Sequence, residues 1–170
     1  MSTFLRTRAP TGRPWTAREI AQGMPLGHPT HAVLVHFPVA FFLGALALDV
    51  ASRWGRFPAA PLAATWALVA GALAAVPTAL TGLLDRAGMV RGSTKRRWAT
   101  RHALVQAGAV VLFVLALLLR LPDRGRPEAE ALWIGVEAVG AAVLVVGQWL
   151  GGMLVYRMGM RVSTGSPSGG

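Results

Sequence analysis

The chain has 170 residues, no cysteine, and a composition that is 54% hydrophobic and only 14% charged, where soluble domains carry roughly 25% charged residues. That balance points to a membrane protein, and the lack of cysteine excludes disulfides, thiolate metal sites and a thiol nucleophile. A net charge of +10 raises nucleic acid as a partner, but the basic residues sit in short segments between apolar blocks, which membrane orientation explains and a DNA-binding face does not.

Residues 1–26 are rich in Arg, Pro and Gly and read as a flexible basic segment. Four blocks then approach or exceed the roughly 20 apolar residues that cross a bilayer: Thr30–Ala51, Leu62–Leu84, His102–Leu121 and Ala131–Tyr156. They define a transmembrane domain over 27–157, followed by a flexible tail, 158–170. Ala45-Leu46-Ala47 resembles a signal-peptide cleavage site, but a thirty-residue leader ahead of the apolar run argues for a retained span. The letters show neither an internal repeat nor a separate soluble domain. Alternate segments between the blocks carry twelve against five Lys and Arg. The positive-inside rule puts the larger set, and both termini, in the cytoplasm. Trp54 and Trp133 then mark the outer boundary, Trp98 and Tyr156 the inner one, while Trp66 and Trp149 sit deeper.

Backbone crossing lipid must satisfy its own hydrogen bonds, so the spans are helices, on which positions eighteen or eleven apart share a face. His31 and Asp49 are so related, as are His102 and Arg120, with Gln106 one turn from His102. Glu137 pairs in the same way with Gln148, and Thr78, Thr81 and Asp85 follow along the second span. Each helix has one polar stripe, and the cost of ionisable groups facing lipid turns all four inward. The expected fold is all-α, an integral membrane up-down-up-down four-helix bundle. By depth, the stripes form an outer layer of Asp49, Arg120 and Glu137, read as a structural ion pair or triad with Arg53 nearby. The inner layer holds His28, His31, His36, Asp85, His102, Gln106 and Gln148. Ala67, Gly71, Ala74, Ala75 and the Gly147-xxx-Gly151 pair permit close helix approach. Pro38 and Pro77 free the carbonyls of Leu34 and Leu73.

The order "LGHPTHAVLVHFPVAFFLGALALD", then "LTGLLD", a basic loop and a histidine opening the third span resembles the bacterial membrane family called domain of unknown function 2231, over roughly residues 26–155. The resemblance marks His28, His31, Pro38, Asp49, Asp85 and His102; His36 stands where that family often has another residue. It implies a four-helix protein of the bacterial inner membrane, distantly akin to di-haem b-type cytochromes, and supplies no established activity.

Three functions compete for the inner layer. In the first, His31 and His102 from diagonal helices are axial ligands of haem b for electron transfer, with Arg96, Arg97 and Arg101 neutralising the propionates. In the second, His28, His31, Asp85 and His102 hold a divalent ion, zinc or iron. The third is a hydrogen-bonded or proton-carrying network in a structural or interaction subunit without cofactor. The spans hold no serine or cysteine nucleophile and the chain no phosphate loop, so independent catalysis is not expected. The partners expected are the lipid bilayer and a redox partner or membrane complex.

Overall fold

Each helix begins and ends where the local chemistry lets it. The computed structural model describes residues 8–54 and 57–160, and the regular structure in them is entirely helical. A short helix α1, Ala17–Ala21, opens on Thr16, whose side chain and that of Glu19 cap each other's backbone N–H in a reciprocal box. A 3-10 turn over Met24–Leu26 follows, flanked by Gly23 and Gly27 in the left-handed region. Gly23 has no substitute: with φ at 76° its Cβ would collide with the carbonyl of His28.

The first span is broken into α2, Thr30–Leu34, and α3, His36–Ser52. The break has a direct cause, because Pro38 has no N–H to offer the carbonyl of Leu34. Pro77 does not break α4, which runs unbroken over Ala60–Ala87. One turn further on, the Thr81 hydroxyl shares its proton between the carbonyls of Pro77 and Thr78, both at 2.9 Å. The third span is longer than hydropathy suggests. Ser93 caps it by accepting from the Arg96 N–H, so α5 runs Thr94–Arg120 and carries Lys95–Arg101 on helix. The fourth, α6, is Ala131–Tyr156.

These four stretches are each long and apolar enough to cross a membrane. They alternate in direction as an up-down-up-down bundle in which α3 packs closest to α4 and α5 to α6, while α4–α5 and α3–α6 close the square. The core is built from Phe42, Ala45, Ala64, Leu68, Ala109, Phe113, Ala116 and Leu144. At its centre the rings of Phe42 and Phe113 stack 4.4 Å apart and nearly parallel, an arrangement that contributes about 0.5–1.5 kcal/mol beyond burial. Burial is inverted relative to a water-soluble bundle. Leu73, Leu104, Val111, Trp66 and Trp149 are exposed on the outside, whereas Asp49, Arg120 and Glu137 are fully buried. An apolar outer wall around buried charge suits a lipid solvent. The chain is therefore an all-α, four-span integral membrane protein.

The N-terminal segment folds back onto the basic end of the bundle. The Gln22 amide donates to Asp85 at 2.9 Å in a buried contact, and Arg18 donates to the carbonyl of Leu84 at 2.8 Å. At the opposite end Ser52 donates to the carbonyl of Asp49 and accepts from the Ala129 N–H, which ties the α5–α6 connection to the end of α3.

Candidate functional site: two polar layers inside the bundle

The layer far from the basic end is ionic. Asp49 on α3, Arg120 on α5 and Glu137 on α6 meet with no exposure on any of the three side chains. One guanidinium nitrogen, Nη2 of Arg120, donates to Oδ2 of Asp49 and to Oε1 of Glu137. Its Nη1 donates to Oδ1 of Asp49 at 3.4 Å and to the carbonyl of Pro61 at 3.5 Å, and Nε to the carbonyl of Ala116. Arg120 thereby joins α3, α4, α5 and α6. Trp133 lies beside it, its ring centroid 5.0 Å from Cζ, which adds a cation–π attraction. The planar, always-charged fork of arginine suits such a site because it serves several acceptors at once. Oε2 of Glu137 is buried and has no partner among the described residues. Arg53 is not part of the cluster: it reaches Glu128 at 3.5 Å and the carbonyl of Ala129 at 3.2 Å.

The second layer, toward the basic end, is a pair of locked histidines. Nδ1 of His31 lies 2.9 Å from the carbonyl of Thr78 on α4, and Nδ1 of His102 lies 2.8 Å from that of Gly147 on α6. A carbonyl only accepts, so Nδ1 carries the proton in both rings. Glycines make the seats. A Cβ on Gly82 would stand 2.9 Å from Cε1 of His31, and one on Gly151 3.1 Å from Cε1 of His102. The two rings meet edge to face, their centroids 6.3 Å apart. Gln106 and Gln148 share this half of the bundle, each with one buried polar atom lacking a partner among the described residues.

This geometry corrects the cofactor readings. Among the described residues no three His, Cys, Asp or Glu side chains are grouped so as to hold a metal ion. His28, His31, Asp85 and His102, expected together from their common depth, do not converge. His28 is exposed before α2, Asp85 is engaged by Gln22, and only His31 and His102 meet. These four residues therefore form no zinc or iron site. The haem b site fares no better. His31 and His102 meet ring to ring against glycine seats on α4 and α6, each with Nδ1 held by a main-chain carbonyl, and no coordinating cluster surrounds them among the described residues. The arginines assigned to its propionates are turned to other uses. Arg96 donates to the carbonyl of Met89, Arg97 to Gly92 and Thr94, and Arg101 lies over the Trp98 ring. The buried network of ion pairs and hydrogen bonds takes the place of the His/Asp ligand cluster.

The sequence alone did not reveal the carbonyl partners of the two histidines, the Phe42–Phe113 stack or the Gln22–Asp85 contact. The glycines at 82 and 151 were the available signal, since each falls one turn from the carbonyl that its histidine uses.

Fold and site together define a multi-pass membrane bundle held by internal polar contacts. The family model described as predicted membrane protein (DUF2231) matches residues 27–164, and the chain belongs to that bacterial membrane-protein family. No curated protein and no solved structure matches it.

Proposed function

We propose that the chain is a structural or interaction subunit of the bacterial cytoplasmic membrane, with both termini in the cytoplasm and no chemical step of its own. The observation that carries this reading is the use made of the buried charge: Arg120, Asp49 and Glu137 are spent on one another with no exposed surface, as in a cluster that fixes helices in place. Twelve against five Lys and Arg support the orientation. Removing the buried Arg120 from the smaller set, where it was counted, leaves Arg53, Arg56, Arg124 and Arg126 there and sharpens the asymmetry. Alkaline phosphatase fused after Gly125 should be active and fused after Thr94 inactive; the reverse pattern refutes the orientation. Native electrophoresis of membranes gently solubilised from the source bacterium tests the role. A subunit migrates in an assembly larger than the lone chain, and migration only as the lone chain contradicts the proposal.

A further inference from the structure

The two polar layers and the aromatic layer between them share a numerical regularity. Seventy-one residues separate Asp49 from Arg120, and the same interval separates His31 from His102 and Phe42 from Phe113. Each pair is in direct contact across the bundle. Ala45 and Ala116, also seventy-one apart, are both completely buried. Residues that touch their own counterparts are what a two-fold axis produces, as at the interface of a symmetric dimer.

The second and fourth spans obey a companion interval of sixty-nine. His31 bonds Thr78 and leans on Gly82; His102 bonds Gly147 and leans on Gly151. Phe42 occupies the space beside Gly71, and Phe113 the space beside Gly140. The bond partners, the histidine seats and the phenylalanine seats thus all recur at the same offset, each within its own hairpin. The innermost positions also match in burial along α4 and α6: Ala64 with Trp133, Leu68 with Glu137, Gly71 with Gly140 and Thr78 with Gly147 are all buried. The first and third spans run in the same direction, so the axis relating the halves lies along the bundle, a recognised form of internal repeat in membrane proteins.

We propose that the chain is two copies of one transmembrane hairpin, α2–α4 and α5–α6, paired about a pseudo-two-fold axis, and that the seam between them is a recognition surface whose partner is a hairpin of the same design carrying the opposite charge at the axis. Letter-by-letter comparison misses the repeat because the paired positions have diverged: Asp49 against Arg120, Leu68 against Glu137, Thr78 against Gly147, Val35 against Gln106. The divergence at the axis has a purpose. Two hairpins of the first kind would bury carboxylate against carboxylate, and two of the second guanidinium against guanidinium, so each accepts only the unlike partner.

The full-length chain tests it by moving each half's side chains onto the other half. Asp49→Arg with Arg120→Asp alone leaves Glu137 facing a carboxylate. Adding Leu68→Glu and Glu137→Leu rebuilds the cluster on the opposite side of the axis. A second, uncharged transplant combines Val35→Gln, Thr78→Gly, Gln106→Val and Gly147→Thr, and is compared with Gly147→Thr alone, whose new side chain collides with Gln106. Thermal unfolding in detergent is the readout. Each fourfold transplant should melt higher than its incomplete control, by about 5 °C or more. Recovery in either transplant upholds the repeat. Failure of both to rise above their controls overturns it.

Discussion

Replacing Arg120 by leucine removes the one cation between two buried carboxylates. The guanidinium donates from Nη2 to both Asp49 and Glu137 and from Nη1 to Asp49 again, all without exposure to solvent. Leucine supplies none of these donors, and the two carboxylates face each other in a region that water does not reach. Breaking a buried pair by deleting one partner costs about 3–5 kcal/mol, and the desolvated cation–π contact with Trp133 adds about 2 kcal/mol. At 1.4 kcal/mol per factor of ten, the pair alone shifts the unfolding equilibrium roughly 140- to 3,700-fold. Reversible unfolding of purified protein in mixed micelles, titrated with a denaturing detergent, measures that shift. An Arg120→Lys control keeps the charge but loses the fork, and should fall between wild type and Arg120→Leu. If Arg120→Leu unfolds with wild type, the three groups do not form a buried cluster and the reasoning fails.

Gln22→Ala removes the buried donor to Asp85; hydrogen bonds to charged groups contribute about 1.5–3 kcal/mol, so residues 17–26 should exchange amide hydrogens faster while the four spans do not. Gly82→Val forces a side chain into the seat of His31 and should cost about 1–3 kcal/mol, seen as a lower melting temperature; unchanged melting would mean that the seat is open. The carboxyl of Glu19 is held down at about 2 by the Arg13 guanidinium and by hydrogen bonds from Thr16, against an ordinary value of 4.5. A depressed carboxylate stabilises above its unfolded value, so the cap of α1 should be intact above about pH 4.5 and loosen as pH falls toward 2. Amide exchange of residues 17–21 across that range checks the sign.

The polar stripes were legible because helical geometry puts positions eighteen apart on one face, and lipid forces charged faces inward. That logic brought Asp49, Arg120 and Glu137 together, as observed. It misled where equal depth was taken for contact. His28 and Asp85 lie near the level of His31 and His102, yet one is exposed and the other held by Gln22. The acceptors that lock both histidines are main-chain carbonyls of Thr78 and Gly147, and a carbonyl leaves no mark in the letters. Hydropathy also misplaced the start of the third span at His102. It reports where lipid begins, whereas the helix begins at its cap, Ser93, and carries Lys95 through Arg101 beyond the apolar stretch.

The charges buried at the end of the bundle far from the basic loop exist for one another. Replacing all three by leucine, as Asp49→Leu with Arg120→Leu and Glu137→Leu, tests this most directly, because a cluster that only joins helices can be exchanged for apolar packing at little cost, whereas removal of one member leaves the others unpaired. Unfolding of the triple variant in mixed micelles should lie within about 1 kcal/mol of wild type and well above Arg120→Leu. A triple variant no more stable than Arg120→Leu would show that the carboxylates have a use apart from the arginine, and would contradict the account.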